Sequence, residues 1–352
     1  MKKSLICLAV LGLSAAAHAQ SSVTLAGTVD TMLSRGTGSV ADRTQLGSGG
    51  NATSKLIIRG IEDLGGGMAG YFHLETGFLA DHGAFQATTT NNQPSGTATA
   101  PAGTQGLTFN RRAIVGLRSA WGEVQLGRNW APMYDAFTGR YDPFGVSVGL
   151  ALNYAASFTS ADGAVRRSNM VTYITPQFAG FTANIAHWFG ENPSGTATSR
   201  DGTGNGIRLE YDKGPISARA HWGRTNFAAA DVVYRAVAGS YNFGPVKVSA
   251  NYVSDKQGSV ERKGPLVGVR VPVGVGEFKA SYSAHRNNVG GGDQKARKLA
   301  IGYVHNLSKR TAVYTTFARV TNKGGSRLAL AGATTAANAS SNGFDIGIRH
   351  NF

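Results

Sequence analysis

The sequence predicts an all-β fold, a 16-stranded antiparallel transmembrane β-barrel with an inward-folded third loop. Three observations support this prediction. Segments of about ten residues alternate between apolar and polar positions along most of the chain. Tight turns between these segments alternate with longer polar connections. The composition, with 48 glycines and 16% charged residues, differs from that of soluble domains, which carry roughly 25% charged residues.

The first 19 residues have the pattern of an export signal. Two lysines near the start are followed by an apolar run over 5–17, and Ala17-His18-Ala19 is a typical cleavage site. A membrane anchor is the alternative, but the run is shorter than the ~20 apolar residues that a spanning helix needs. We therefore expect a signal peptide over 1–19 and a single barrel over 20–352.

Cleavage would leave a mature chain without cysteine, because Cys7 lies within the signal. The mature chain could then form neither a disulfide nor a thiolate metal site. Loss of Lys2 and Lys3, with no acid, lowers the formal charge from +15 to +13. Export argues against nucleic acid as the partner of this charge. No later apolar run reaches the length of a membrane helix, so strands would have to cross the lipid, as a closed barrel.

The last segment shows the alternation most clearly. Its apolar face holds Phe344, Ile346, Ile348, His350 and Phe352, and its other face holds Asp345, Gly347, Arg349 and Asn351. The same pattern sets Ile216-Ala218-Ala220-Trp222 against Ser217-Arg219-His221. One face of each segment suits lipid and the other suits water. A soluble sandwich would alternate as well, so the rhythm of the loops has to separate the two folds.

The connections differ in length at the two ends of the segments. Tight turns are predicted at 62–66, 119–122, 176–180, 212–215, 242–245, 274–276 and 306–309. Longer connections are predicted at 34–53, 81–107, 131–165, 190–204, 227–231, 257–262, 288–293 and 323–342. Outer-membrane barrels have this asymmetry, with short turns at the periplasmic end and long loops outside.

Sixteen strands follow from these boundaries. They are predicted at 23–33, 54–62, 68–79, 108–118, 123–130, 166–175, 181–189, 205–212, 216–226, 232–242, 246–256, 263–273, 277–287, 294–305, 311–322 and 342–352. An even number allows the first and last strands to pair and close the wall. A barrel of about this size encloses an aqueous lumen rather than a core of side chains.

Five segments carry a resemblance to a known family. They are 22–30, 58–67 with its turn Glu62-Asp63-Leu64-Gly65, Gly127-Arg128-Asn129, Tyr141-Asp142-Pro143-Phe144-Gly145 and the ending Gly347-Ile348-Arg349-His350-Asn351-Phe352. They resemble segments of the Gram-negative general porin family, in particular its β-proteobacterial branch, although Ala26 stands where an aromatic residue is usual. The resemblance implies a homotrimer of 16-stranded barrels in the outer membrane. It also implies a third loop that narrows each lumen, passive diffusion of small hydrophilic solutes, and a role for Phe352 as a signal to the barrel-assembly machinery.

The third loop, 131–165, combines aromatic and charged residues. Tyr134, Phe137 and Tyr141 make it too apolar to extend freely into water. An ordered loop of this length is usually functional, and irregular backbone is tolerated inside a barrel where it lines a wet cavity. We therefore expect the loop to fold into the lumen, with an external cap or a subunit contact as the alternatives.

Charged residues near this loop are the candidate pore constriction. The acids expected on the loop side are Asp135 and Asp142, and the bases expected on the wall are Arg59, Arg112, Arg128 and Arg167. Alternation places Arg112 on the lumen face. It leaves Arg59 open, allows Arg128 inward only if its strand bulges near Gly127, and lets Arg166 and Arg167 compete for one inward position. Arginine stays charged and is weakly hydrated, so several can pass an anion along without binding it tightly.

The sequence thus predicts an outer-membrane channel for small hydrophilic solutes and ions that prefers anions and uses no cofactor or metal. Its expected partners are permeant anions and solutes, outer-membrane lipids and the assembly machinery. A channel specific for a sugar, phosphate or organic acid on the same barrel is the alternative, in which a sugar would slide along the aromatic residues Trp130, Tyr134, Phe137 and Tyr141. A barrel that binds partners through 81–107 is a third reading. An enzyme is disfavoured because His187, His221 and His285 have no neighbouring nucleophile motif.

Overall fold

The computed structural model describes residues 21–88, 104–134, 140–145, 150 and 165–352. Its strands are β1 (Ser22–Thr37), β2 (Arg43–Ser48), β3 (Lys55–Gly65), β4 (Met68–Gly77), β5 (Phe85–Gln86), β6 (Thr104–Gln105), β7 (Arg112–Ser119), β8 (Gly122–Trp130), β9 (Arg166–Ile174), β10 (Phe181–Trp188), β11 (Gly204–Lys213), β12 (Ile216–Thr225), β13 (Val232–Asn242), β14 (Lys247–Gln257), β15 (Val260–Val273), β16 (Gly276–Asn287), β17 (Gln294–Asn306), β18 (Thr311–Lys323) and β19 (Ser341–Asn351). Among these residues no helix is long and apolar enough to cross a membrane.

The wall is one antiparallel sheet that closes on itself. On one edge β1 pairs with β19, from Thr28 opposite Asn351 to Thr37 opposite Asn342. Its other edge is shared by β2, along 31–36, and β3, along 22–28. Since β2 and β3 together occupy one wall position, the 17 strands of the sheet form a closed barrel of sixteen. The predicted fold class is confirmed, and β5 and β6 form a separate hairpin.

Each of the sixteen predicted segments overlaps one wall strand, with ends that differ by up to four residues. The structure corrects two connections. The expected loop 34–53 contains β2, and the expected loop 257–262 is a two-residue turn, because Gln257 pairs with Val260. Charged residues made this second segment resemble a loop. They pair across the strands instead, with Arg262 Nη1 3.5 Å from Asp255 Oδ2, and such opposite charges stabilise a sheet.

The two faces of the wall have the predicted chemistry. Outward-pointing apolar side chains such as Val115, Val237 and Ile346 are more than half exposed in the isolated chain. Inward-pointing neighbours such as Asn251 and Asp345 are polar and buried. This apolar outside and polar inside is the inverse of a soluble barrel and fits a wall set in lipid.

A buried carboxylate fixes the interruption between β2 and β3. Asp30 of β1 accepts the backbone N–H groups of Gly50, Asn51 and Ala52 at 2.7–3.1 Å. Tyr314 of β18 donates its hydroxyl to the same carboxylate at 2.5 Å. The connection 49–54 is therefore folded against the inside of the wall near the seam where the barrel closes.

Candidate functional site

The described part of the third loop lies against the inner faces of β11–β19. Hydrogen bonds join it to inward-pointing side chains. They include Arg208 Nη1 to Pro132 O at 3.1 Å, Tyr141 Oη with Ser217 Oγ at 2.7 Å, Arg270 Nη2 to Asp142 O at 2.8 Å and Lys298 Nζ to Leu150 O at 3.1 Å. These residues of the loop therefore fold inward, as predicted.

Apolar packing holds the loop at two places. Met133 and Tyr134 pack with Val232, Tyr234 and Val253. Farther along, Phe144 and Leu150 pack with small residues of β17 and β18. The buried apolar residues thus lie mainly between the loop and the wall, and they leave the lumen itself polar.

Two wall glycines allow the close approach. A Cβ at Gly268 would overlap the ring of Pro143, and one at Gly302 would come within 2.8 Å of Phe144. Any larger residue at either position would push the loop away from the wall. The sequence therefore encodes the position of the loop partly in the strands beneath it.

A group of cations occupies the facing part of the wall. This basic cluster is formed by Lys55, Arg111, Arg112, Arg128, Arg166 and Arg167. Lys55 lies close enough to Arg111, Arg112 and Arg166 to be repelled by them, and Arg128 lies close to Arg167. The cluster spans β3, β7, β8 and β9, so neighbouring strands deliver its members to one region of the lumen.

The lumen face also holds Arg59 and Arg112. Arg59 pairs in register with His73, whose side chain contacts the inward-pointing Glu75 at 3.2 Å. The side chain of Arg59 is therefore exposed to the lumen, an orientation that the sequence left open. Arg112 pairs in register with Glu75, and the outward exposure of Val115 places Arg112 inside, as alternation predicts.

Arg128 depends on a bulge, as expected. Gly127 has φ +117°, and the β8–β9 register shifts between Gly127 and Asn129. Such an extra residue re-aims the side chain that follows it. Arg128 donates through Nε to Asn110 O at 2.8 Å and through Nη1 to Ser168 Oγ at 2.8 Å. These bonds tie its guanidinium to the loop ends of β7 and β9.

The predicted competition between Arg166 and Arg167 is resolved by aromatic rings. Arg166 lies over Trp130, 4.3 Å from the ring centroid. Arg167 lies 5.1 Å from the centroid of Trp188 and 5.3 Å from that of Tyr234. Arg167 is only 1% exposed, so its guanidinium lies among aromatic rings of the wall. It does not line the open lumen, contrary to the prediction.

The two predicted acids have different outcomes. Asp135 lies outside the described residues. Asp142 is 2% exposed, and its carboxylate accepts the Phe144 N–H at 2.9 Å. Burial raises the pKa of Asp142 to about 6, although this bond and the charge of Lys298 act to lower it. Asp142 therefore lies beneath the loop and does not face the arginines across the bore, which corrects the expected placement.

The carboxylate within the basic cluster is Glu75, which sequence reasoning missed. It is 3% exposed and accepts Arg111 Nε at 2.5 Å, with Lys55 Nζ at 3.9 Å. Its position was readable, because Glu75 shares the inward face of β4 with Tyr71 and His73. Within the described part of this region, the single acid Glu75 thus faces the six bases of the basic cluster.

Further cations lie on the wall that supports the loop, and the sequence analysis did not select them. Arg208 and Arg219 both contact Glu210, at 2.5 and 2.6 Å, and Arg219 lies 5.7 Å from the ring centroid of Tyr141. Arg270 and Lys298 hold the loop by its carbonyl groups. Alternation had already placed Arg219 inside, but only the path of the loop shows which inward bases lie near it.

The aromatic residues near the loop are engaged in packing. Trp130 and Tyr134 stack with centroids 4.4 Å apart and planes 7° from parallel. Arg111 lies 5.1 Å from the Trp130 centroid, and Tyr141 is wholly buried. Phe137 lies outside the described residues. Within the part of the chain that is described, no group of three or more His, Cys, Asp or Glu residues could hold a metal ion.

Phe352 lies at the seam of the barrel. Its N–H donates to Gly27 O at 3.1 Å, and its carbonyl accepts the Gly27 N–H at 3.0 Å. The ring is 44% exposed on the outer face. Phe352 therefore continues the β1–β19 pairing to the end with the short turns, where a solvent-accessible aromatic residue is available to other molecules.

A closed barrel of sixteen strands, apolar outside, polar inside and narrowed by an inward loop, defines a water-filled channel of the bacterial outer membrane. The Gram-negative porin model matches residues 5–325, and the chain belongs to that family. It is a non-enzymatic channel of the Gram-negative outer membrane.

The relatives agree with this assignment. The chain is 38% identical to outer membrane porin protein 32 of Delftia acidovorans over 375 residues, which cover 100% of both chains. It is 30% identical to an outer membrane porin protein of Bordetella pertussis, over 89% of this chain and 93% of that protein. Among solved structures, the anion-selective porin from Comamonas acidovorans matches with a TM-score of 0.78 and 33% identity, over 95% of this chain and 100% of that one.

Proposed function

We propose that this porin is an anion-preferring, homotrimeric channel for general diffusion of small hydrophilic solutes. The observation that carries the proposal is the charge around the inward loop. Six bases and one carboxylate, Glu75, face the loop from β3–β9, and further bases lie beneath it. The constriction would then be lined by Arg59, Arg112 and Arg128, with Arg167 and Asp142 buried beside it. Asp135, which lies outside the described residues, would be the acid on the loop side.

The excess of positive charge predicts which ions the channel prefers. An excess of fixed positive charge in a narrow aqueous passage raises the local concentration of anions and lowers that of cations. Charges that touch the water act over a Debye length of ~8 Å at physiological ionic strength, which is comparable to the width of a side-chain-lined passage. The similarity to an anion-selective porin supports the same direction.

The aromatic residues do not favour a sugar-specific channel. Tyr134 and Tyr141 are buried, and Trp130 is covered by Tyr134 and by the Arg166 guanidinium. A sugar path needs ring faces that a solute can reach. The basic cluster is also compatible with a channel specific for organic acids or phosphate. A saturable block of the current by one such anion, absent for other anions of equal size, would favour this specific channel over general diffusion.

Export and assembly complete the proposal. We propose that residues 1–19, which lie outside the described residues, are removed as a signal peptide, and that Phe352 serves the assembly machinery. A solved porin of Vibrio cholerae is described as a trimer form, which supports a trimer here. Deleting 89–103, between β5 and β6, should lower the melting temperature of the trimer if that connection latches a neighbouring subunit.

Ion selectivity in a planar bilayer tests the main claim. With a KCl gradient, the wild-type channel should give a reversal potential that reports Cl⁻ preference. Arg59→Gln and Arg112→Gln should each move this potential toward zero, because each removes a lumen charge. Arg319→Gln on the outer face is the matched control and should leave it unchanged. Cation preference of the wild-type channel would overturn the proposal.

A further inference from the structure

A carboxylate on the inner wall joins two of the arginines that contact the third loop. Glu210 of β11 accepts Arg208 Nε through Oε1 at 2.5 Å and lies with Oε2 2.6 Å from Arg219 Nη2. Each oxygen thus serves one guanidinium. Glu210 stands directly opposite Arg219 in the register of β11 and β12, and Arg208 precedes it by two residues on the same face. One side chain therefore bridges the two arginines, and we call the three residues the Glu210 clamp.

Both arginines of the clamp reach from this carboxylate to the loop. Arg208 donates through Nη1 to the Pro132 carbonyl at 3.1 Å. The guanidinium of Arg219 lies 5.7 Å from the ring centroid of Tyr141, which is within the range of a cation–π contact. Pro132 lies at the start of the loop and Tyr141 lies farther along it. The clamp therefore holds the segment 132–141 at both of its ends.

The chemistry of arginine allows one group to make both kinds of contact. A guanidinium carries five N–H groups on a rigid plane. In the clamp, one N–H group of each arginine is directed at Glu210, which leaves a second N–H group of Arg208 and the plane of Arg219 for the loop. Long side chains lose rotamer freedom when they are fixed, and here one acid fixes two of them. Glu210 thereby orients two separate contacts to the loop.

The clamp is largely withdrawn from the water of the lumen. The side chains of Arg208, Glu210 and Arg219 are 9%, 11% and 8% exposed. Salt screens ion pairs at such depth only weakly, and removal of one partner leaves the other charge buried without compensation. Loss of the Glu210 charge would therefore release both guanidiniums from their present positions.

We propose that Glu210 is a positioning residue of the channel, which fixes the third loop through Arg208 and Arg219 and so sets the width of the passage. This inference rests on the proposed function, because it assigns a role within the same constriction. Glu210 acts on permeation through the loop and not through contact with ions. The alternative is that Glu210 only joins β11 to β12, as opposite charges across neighbouring strands do.

Single-channel recordings in a planar bilayer test the proposal with two substitutions. Glu210→Gln removes the charge and with it both ion pairs. Glu210→Asp keeps the charge but withdraws the carboxylate by about 1.5 Å, the length of one carbon–carbon bond, so that it can reach only one arginine. Glu277→Gln is the matched control. Glu277 is an inward acid of β16 that contacts Lys279 at 3.5 Å, and neither residue forms a hydrogen bond with the described part of the loop.

The readout is the fraction of time that the channel spends in substates of lower conductance. In Glu210→Gln this fraction should rise about tenfold, which corresponds to a loss of about 1.4 kcal/mol by the open position of the loop. Glu210→Asp should raise the fraction as well and leave the reversal potential in a KCl gradient unchanged. Glu277→Gln should move the reversal potential toward stronger Cl⁻ preference without additional substates.

Two results would overturn the proposal. Substates at the wild-type level in the Glu210 variants, even with a lower melting temperature of the barrel, would leave Glu210 as a link between strands. An equal rise in Glu277→Gln would assign the substates to the charge of the lumen. If Glu210→Gln does not refold, the aspartate variant decides alone. Cation preference of the wild-type channel would contradict the proposed function but not the role of Glu210, so the two failures are distinguishable.

Discussion

Replacing Glu75 by glutamine should make the channel more selective for anions. Glu75 is the carboxylate that faces the basic cluster, and it is held by Arg111 at 2.5 Å and Lys55 at 3.9 Å. Glutamine keeps an oxygen that can accept the Arg111 N–H and removes only the charge. The change therefore alters the field in the lumen with little change in shape.

Coulomb's law gives the size of the effect. An ion that passes about 7 Å from the carboxylate interacts with it by roughly 0.6 kcal/mol in water. Salt at about 0.1 M, with a Debye length of ~10 Å, reduces this to about 0.3 kcal/mol. The substitution removes a repulsion for Cl⁻ and an equal attraction for K⁺. The ratio of Cl⁻ to K⁺ permeability should therefore rise about threefold, since 1.4 kcal/mol corresponds to a tenfold change.

Reversal potentials of single channels in a KCl gradient measure this ratio directly. Glu62→Gln is the control, because Glu62 is exposed near the turn after β3 and its replacement changes the total charge equally. A ratio that stays constant or falls in the Glu75→Gln channel would refute the assignment of selectivity to the basic cluster. An equal rise in both variants would attribute selectivity to total charge instead.

Three other substitutions test the position of the loop, the seam and the terminus. Gly302→Leu should displace Phe144 and raise single-channel conductance and current noise, whereas Gly239→Leu on the outer face should leave both unchanged. Tyr314→Phe should lower the free energy of unfolding by roughly 1.5–3 kcal/mol, the usual contribution of a hydrogen bond to a charged group. Its urea midpoint in detergent measures this, and an unchanged midpoint would contradict the role given to the Asp30 contact. Phe352→Ala should reduce the yield in the outer membrane of cells severalfold while refolding into detergent remains efficient, and equal yields would argue against an assembly signal.

Sequence periodicity predicted the wall almost completely, and the reason is physical. A strand that lies between lipid and water has to alternate apolar and polar side chains. Each strand of the wall meets this requirement separately, so each can be recognised on its own. Alternation did not predict two strand regions, both of which the sequence analysis assigned to loops. In the 257–262 segment opposite charges face each other across a hairpin, and in 43–48 a short strand fills half of a wall position.

The candidate site was less predictable, because its members depend on contacts between distant strands. Arg112 follows from parity alone. Arg128 required a bulge that glycine permits but does not dictate. The placement of Asp142 beneath the loop depends on the packing of Phe144 against β17 and β18, which no local pattern encodes. Glu75 was readable as an inward residue, yet its significance appears only when Arg111 and Lys55 are brought to it.

The seam between β1 and β19 also constrains the order of events in biogenesis. Thr28 of the first strand pairs with Asn351 of the last, so the earliest wall segment to leave the inner membrane has to wait for the final one. Until then its edge has unpaired N–H and C=O groups, which invite pairing with other chains. Closure of a barrel of this topology is therefore a late event, because it requires the last strand to reach the first.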